Sequence, residues 1–164
     1  MAVPLLAVVN EPLDLDALAT TVGVAAASGA LGCGAVSCFS GLVRGQNAGR
    51  RVQHLDYEAY APLAITVFAQ IRDEIAAEWP GAVIGMHHRT GRVAVGETSV
   101  IVAAATAHRA DAFAACRYAI ERIKQIAPVW KREYFDGGDV WIEGATADPR
   151  DEQARQLARA RACA

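Results

Sequence analysis

Two long amphipathic segments constrain the fold of this chain more than any other feature. In residues 63–79, apolar side chains recur every three or four positions and charged side chains occupy the other side. This spacing predicts a helix that buries one face. Residues 109–126 repeat the pattern and stop before Pro128, since a residue that precedes proline avoids helical backbone angles. The predicted buried stripe of this second helix is Phe113, Cys116, Ile120 and Ile123.

Short β-rich runs surround these helices. They are residues 5–9, 33–44, 52–59, 83–88, 99–105, 129–135 and 140–143. The second and third runs are predicted to form a hairpin with a long polar loop, and the last two are predicted to join across the turn residues 136–139. Asp14 is a candidate N-cap for a short helix that ends at Gly23. The order predicts an α+β domain, a mostly antiparallel sheet with two long helices packed on it.

The length of 164 residues fits one compact domain. We expect residues 1–147 to form that domain and residues 148–164 to form a polar C-terminal tail, either a loose helix or disordered. The N-terminus lacks the basic region of a signal peptide, and no apolar run is long enough to span a bilayer. These features predict a soluble, cytoplasmic protein.

The formal net charge of −2 argues against a protein that wraps nucleic acid or coats an anionic membrane. Any positive site must therefore be local. The four cysteines, at positions 33, 38, 116 and 163, form no CxxC pair, so neither a zinc site nor a disulfide framework is expected. The first three are predicted to be small buried residues and Cys163 to be exposed. The histidines lack metal-ligand spacing, and we expect neither a metal nor a cofactor.

Basic residues stand at two structural transitions that suit an anion. Arg44 ends a predicted strand and faces a glycine-bearing loop, which allows close approach of a ligand. His108 and Arg109 begin the second long helix, where free N–H groups and the helix dipole favour negative charge. The alternative is that Arg44 is merely solvated and that Asp111, in the first turn, offsets the other two.

A third basic position is the pair Lys124 and Lys131, on either side of the Pro128 turn. The turn folds the chain back, so the two ammonium groups can approach each other. A partly buried lysine beside another cation has a lowered pKa and can act as a nucleophile or a base. The alternative is structural: Lys124 complements the helix C-terminus and Lys131 extends from an edge strand to solvent.

In order and spacing, these segments resemble the catalytic (large) subunit family of molybdopterin synthase. The resemblance covers roughly residues 31–143, and its most specific stretch is residues 124–133. The matching stretches are Gly34-Ala35, Phe39-Ser40-Gly41-Leu42-Val43-Arg44, Asn47, Gly49, Val52, His88-Arg89-Thr90-Gly91, Val95-Gly96-Glu97, Ala107-His108-Arg109, Ala112-Phe113 and the run from Lys124 to Glu133.

The resemblance implies an α/β-hammerhead fold, a homodimeric core and a small ubiquitin-like partner at each end, which together make a heterotetramer. It implies that the Gly-Gly tail of the partner carries a C-terminal thiocarboxylate into the catalytic pocket. The sulfur passes to cyclic pyranopterin monophosphate, and two transfers create the dithiolene of molybdopterin, a step of molybdenum cofactor biosynthesis.

The resemblance also implies roles by position. The catalytic lysines are Lys124 and Lys131, the substrate or anion-binding residues are Arg44, His108 and Arg109, and Phe39 is an aromatic near the pocket. Some of these residues are expected to reach across the dimer. Our hypothesis is that Lys124 is the acid/base or covalent group, that Lys131 lowers its pKa, and that the other cations hold the phosphate.

Two alternatives remain at this point. A non-catalytic scaffold or regulator of the same fold would keep the partner interface but would be expected to lose some of these cations, whereas the chain keeps them. An unrelated enzyme could bind a phosphorylated metabolite through the same basic cluster, without any need for a Gly-Gly tail. The chain departs from the family pattern at Gly45-Gln46, where acidic and other polar residues are common, and shows no match after Glu143.

Overall fold

The computed structural model describes residues 2–142 and 144–164. Its first sheet has the strand order β1-β5-β7-β2. The bounds are β1 Leu6–Val9, β5 Val83–Arg89, β7 Thr98–Thr106 and β2 Ala35–Leu42. β1 runs parallel to β5, and the other pairs are antiparallel. β1 therefore lies at one edge and β2 forms the opposite edge.

Helices cover both faces of this sheet. They are α1 (Leu15–Ala27), α2 (Ala61–Glu78), α3 (Arg109–Ile126) and α4 (Glu152–Ala162). β7 supplies residues to both cores because successive side chains point to opposite faces. Ile101, Ala103 and Ala105 meet α1, whereas Val102 and Ala104 belong to the core that includes α2 and α3. None of the helices in the described part of the chain is long and apolar enough to cross a membrane.

The second sheet has the order β3-β4-β8-β9, with β6 paired to β4. The bounds are β3 Gln46–Asn47, β4 Arg50–Ala59, β6 Gly91–Ala94, β8 Val129–Phe135 and β9 Gly138–Ile142. All of its pairs are antiparallel. The α+β prediction is confirmed, as are α3 and the β8–β9 hairpin. The predicted end of the last strand at Glu143 lies outside the described residues.

The predicted hairpin between the second and third β-rich runs is wrong. β2 pairs with β7 and β4 pairs with β8, so the two runs belong to different sheets. The physical reason lies at Val43, whose N–H donates to the Glu97 carbonyl and whose carbonyl accepts from Gly96. This pairing leads the chain out of the first sheet, and the Val43 side chain is buried in the core of the second.

Three smaller predictions are also wrong. α1 continues past Gly23 to Ala27, because the next residues are apolar and Ala26 is buried. Phe113 is 65% exposed, since the sheet packs against small residues of α3, among them Ala112 and Ala115. Cys38 is exposed on the edge strand β2, whereas Cys116 is buried and Cys33 partly buried.

The C-terminal segment forms a helix, α4, which packs on α3 through Ala158 and Ala162. Arg122 of α3, fully buried, fastens it there. The Arg122 guanidinium donates to both carboxylate oxygens of Glu74, at 2.8 Å each, and to the carbonyl of Pro149 at 3.3 Å. The hydrogen bond to Pro149 therefore holds the segment before α4 against the C-terminal part of α3.

Candidate active site

A cavity of about 290 Å³ opens where the two sheets meet. It gathers four of the six predicted site residues: Phe39 from β2, Arg44 from the following loop, Lys124 from the last turn of α3, and Lys131 from β8. The remaining lining residues are Gly41, Leu42, Val43, Asn47, Val52, Leu55, Tyr57, Ser99, Val100, Glu133 and Ile142.

A smaller inner compartment of about 100 Å³ adjoins this cavity and shares Tyr57, Lys124, Lys131 and Ile142 with it. Its other lining residues are His88, Ile123, Ala127, Val129 and Gly144. Gly144 is required there, because a Cβ atom at that position would lie 2.7 Å from the Val129 carbonyl oxygen. Apart from the lysines, Tyr57 and His88, the compartment is apolar.

Both lysines have lowered pKa values. Burial lowers the pKa of Lys124, although its side chain still reaches solvent, and the positive charge of Lys131 lowers it further. Burial also lowers the pKa of Lys131; the carboxylate of Glu133 opposes this shift and Arg44 adds to it. The structure therefore brings together the two ammonium groups that the Pro128 turn predicted to approach each other.

These two lysines are the only lysines of the chain, which has sixteen lysines and arginines in total. Arginine stays charged in proteins, whereas the pKa of lysine falls readily on burial. The other fourteen of these sixteen positions are arginines, which do not lose their proton. The two lysine side chains line one cavity. This difference between the lysines and the arginines is visible in the sequence, but our prediction did not use it.

Glu133 is a site residue that the sequence analysis did not single out. It is 2% exposed, accepts a hydrogen bond from Asn47 Nδ2 at 2.7 Å, and accepts two from Arg50 at 3.0 and 3.1 Å. These bonds hold the β3–β4 hairpin over the cavity. The signal was strand periodicity: Glu133 lies two residues after Lys131 on β8, so both side chains point to the same face.

The position of Arg44 is set by the turn between β6 and β7. Val43 is bonded on both sides to this turn, in which Gly96 has a φ of +86°. Glu97 of the same turn accepts from Ala94 N at 2.9 Å and pairs with Arg89 at 3.1 Å. The segments 88–91 and 95–97 thus form a support that places Arg44 at the cavity.

His108 and Arg109 do not reach this cavity within one chain. Both are exposed at the start of α3. Lys124 lies sixteen residues further along the same helix, which at the rise of an α-helix is about 24 Å away. The six predicted residues therefore divide into four at one end of α3 and two at the other.

The geometry suits the binding of an anion next to a reactive amine. Arg44 supplies a fixed positive charge, and Lys124 and Lys131, which line both compartments, have lowered pKa values. A lowered pKa increases the neutral fraction of an amine, so it is better able to accept a proton or to attack a carbonyl. Among the described residues, no cluster of three or more His, Cys, Asp or Glu side chains is arranged to hold a metal ion.

The sequence of this chain is similar to that of one protein family. The family model described as MoaE protein matches residues 8–126. The molybdopterin synthase catalytic subunit of Staphylococcus carnosus is 46% identical over 109 residues, which are 66% of this chain and 73% of the relative.

Two solved structures have the same fold. The molybdopterin synthase of Staphylococcus aureus has a TM-score of 0.79 at 36% identity, covering 86% of this chain and 98% of that one. A protein–protein complex of subunits 1 and 2 of the molybdopterin-converting factor from Helicobacter pylori has a chain that matches with a TM-score of 0.68 at 25% identity, covering 85% and 91%. These similarities confirm the fold that the resemblance implied.

Proposed function

We propose a reaction for this cavity on the premise that the chain belongs to the MoaE family, the catalytic subunits of molybdopterin synthase, as the sequence resemblance predicted. The reaction is sulfur transfer from the C-terminal thiocarboxylate of a small ubiquitin-like carrier to cyclic pyranopterin monophosphate. Two transfers form the dithiolene of molybdopterin in molybdenum cofactor biosynthesis. The observation that carries the proposal is that the only two lysines of the chain, both with lowered pKa, line one cavity with Arg44.

The charges of the cavity suit both reactants. The phosphate of the substrate and the thiocarboxylate of the carrier are negative, so a site that brings them together must offset their repulsion. Arg44, which is exposed, and Lys131, which is partly buried, supply that charge, and the charge of Lys131 is screened less than one on the open surface. Lys124 is the acid/base or covalent group, and oxyanions that form during transfer are stabilised by its charged neighbours.

The carrier is a second subunit with a Gly-Gly tail. The Helicobacter pylori structure is a complex of two molybdopterin-converting-factor subunits, which supports an equivalent partnership here. An extended tail without side chains suits a compartment of about 100 Å³, whose wall includes Gly144 in close approach to the Val129 backbone. This requirement separates the proposal from an unrelated phosphate-binding enzyme, for which a co-purified Gly-Gly partner is not expected.

A homodimeric core would complete the site. His108 and Arg109 lie about 24 Å of helix from Lys124, so they bind the substrate phosphate only if they enter the cavity of a second copy. Phe113, four residues after Arg109 and thus on the same side of α3, is a large exposed apolar residue. Such a residue beside two cations suits a protein interface. Two catalytic subunits and two carriers would make a heterotetramer.

We also propose a cytoplasmic location and a division of the chain into a catalytic unit, residues 1–147, and an attached segment, residues 148–164. The four free thiols suit a reducing compartment. The family model ends at residue 126, and the C-terminal segment packs on α3 from outside the sheets. No metal or cofactor has a role in the proposed reaction.

The test is conversion of cyclic pyranopterin monophosphate by the purified subunit with thiocarboxylated carrier. We expect Lys124→Ala to lower the rate by about a thousandfold or more, as for other groups that act at the reacting centre. Lys124→Arg is the matched control: it keeps the charge but cannot supply a neutral amine, so we expect it to be nearly as slow. Near-normal turnover by Lys124→Ala would contradict the role given to Lys124, whereas no turnover by the wild-type subunit would favour the non-catalytic scaffold.

A further inference from the structure

We propose that His88 is a positioning residue of this site, whose Nε2 atom holds the amino group of Lys124 at the inner compartment as an uncharged hydrogen-bond acceptor. The proposal rests on the proposed function, since it gives His88 a part in the same reaction. It concerns a histidine that the sequence marked only as lacking metal-ligand spacing.

The tautomer of His88 is set by the backbone. Its Nδ1 atom lies 2.8 Å from the carbonyl oxygen of Arg89. A carbonyl oxygen only accepts, so Nδ1 carries the hydrogen, and in the neutral ring Nε2 then has a free lone pair. Arg89 is itself held by its ion pair with Glu97, which fixes the accepting carbonyl. Tyr57 packs edge-on against the ring with a centroid distance of 5.1 Å.

His88 stays neutral at the pH where the enzyme works. Burial lowers the pKa of His88 to about 4, the hydrogen bond to the Arg89 backbone opposes the shift, and the charges of Lys124 and Lys131 add to it. A carboxylate at this position would also hold a lysine, but it would raise the lysine pKa strongly. A neutral imidazole fixes the amine while leaving its pKa low enough for proton transfer.

Lys124 is the partner that fits. His88, at 3% exposure, lines the inner compartment together with both lysines. The charge of Glu133 opposes the lowering of the Lys131 pKa, whereas the neighbouring charge that shifts the pKa of Lys124 is that of Lys131, which repels it. Within residues 2–142 and 144–164 neither lysine makes an ion pair, and no hydrogen bond joins Lys124 to Nε2 of His88. The proposed contact forms when the flexible Lys124 side chain turns into the compartment that both residues line.

The neighbouring histidine provides a control. His87 is also buried, but strand alternation turns it to the opposite face of the sheet. There its Nε2 lies 2.6 Å from the carbonyl oxygen of Pro4, remote from the cavity. Replacing either histidine by phenylalanine removes a buried imidazole from the same strand, so the two variants differ mainly in whether the lysines are affected.

The experiment compares His88→Phe, His88→Gln and His87→Phe in the full-length subunit with its carrier. Because the chain has two lysines, labelling with [¹³C]lysine gives two Cε signals, and their pH titration reports each pKa without any turnover. Glutamine can place its Oε1 atom where Nε2 stood and serves as the conservative replacement. Single-turnover sulfur transfer is measured in parallel.

We expect His88→Phe to slow the chemical step about tenfold through misplacement of the amine, with KM unchanged. It should also lower the Lys124 pKa, because an acceptor that favours the ammonium form is lost, and leave Lys131 unchanged. His88→Gln should restore both properties, and His87→Phe should alter neither. Wild-type rate and Lys124 pKa in His88→Phe would overturn the proposal, as would a His88→Gln variant as impaired as His88→Phe.

A measurement on the wild-type protein guards against misfolding of the variants. The ¹⁵N shift of His88 Nε2 should change as Lys124 loses its proton, and this change should vanish in Lys124→Met. A shift that stays constant through the Lys124 titration contradicts the proposal. The proposed function fails separately, when the wild-type subunit with its carrier gives no conversion of the substrate, so the two failures are distinguishable.

Discussion

The two ends of α3 differ in how much of a site one chain provides. At the C-terminal end, Lys124 lies in a cavity with Lys131 and Arg44, enclosed by residues of both sheets. At the N-terminal end, His108 and Arg109 are exposed and line none of the cavities around the lysines. At its C-terminal end, α3 thus contributes Lys124 to a nearly complete site. At its N-terminal end it presents two basic residues that face solvent.

The helix dipole also acts differently on the basic residues at the two ends of α3. The C-terminus of a helix favours positive charge and by itself would raise the pKa of Lys124. Burial and the neighbouring Lys131 outweigh that effect, and the pKa is lowered. At the N-terminus the dipole disfavours His108 and Arg109 but favours an anion. The first end is therefore suited to proton transfer and the second to holding a phosphate.

Mixed dimers give the largest expected effect. We expect Lys124→Ala homodimers to lose about a thousandfold or more of their activity and Arg109→Ala homodimers about a hundredfold. A dimer with one chain of each kind keeps one complete site if the two ends of α3 meet across the interface, and should regain about half of wild-type activity. Differently tagged subunits, purified as mixed dimers, allow the measurement. An inactive mixed dimer would show that the sites do not share residues.

Arg122, two residues before Lys124 on the same helix, should affect stability. Burial pushes the pKa of Glu74 up, but hydrogen bonds from Arg122, Gln70 and Tyr118 outweigh it and keep the pKa low. Arg122→Met leaves this carboxylate without its charged partner, which should cost about 3 to 5 kcal/mol in the free energy of unfolding. Arg155→Ala, which removes an exposed pair with Glu152, should cost less than about 1 kcal/mol. Urea denaturation of both variants would measure the difference, and equal losses would contradict a role for burial.

Local patterns predicted the helices well because helix periodicity and the helix stop before Pro128 depend only on residues that are close together in the sequence. The α3 bounds, Arg109–Ile126, match the prediction. The pairing of β2 with β7 spans more than fifty residues, and a strand pattern does not name its partner. The incorrect hairpin is a failure of this kind. Phe113 was misplaced because periodicity shows which side is apolar, not that small residues make the close contact.

The site was only partly predictable for the same reason. The Pro128 turn indicated that Lys124 and Lys131 approach each other, the strand end before a glycine-bearing loop indicated Arg44, and the family resemblance added Phe39; all four line the cavity. That β4 and β9 would enclose these residues, or that Glu133 would hold Asn47 and Arg50, depends on sheet order. His108 and Arg109, which the family resemblance also assigned to the site, are exposed at the other end of α3 and do not line this cavity.

The smallest expected effect concerns the charge coupling of the two lysines. Because the positive charge of Lys131 helps to lower the pKa of Lys124, Lys131→Met should raise that pKa toward the ordinary value for lysine. The fraction of neutral amine at pH 7 then falls, and the rising limb of the rate–pH profile moves to higher pH, with a loss of about threefold to tenfold at pH 7. Lys131→Arg keeps the charge and should leave the limb in place. If Lys131→Met slows the reaction equally at all pH values, Lys131 acts by binding the anion, and the lowered pKa of Lys124 comes from burial alone.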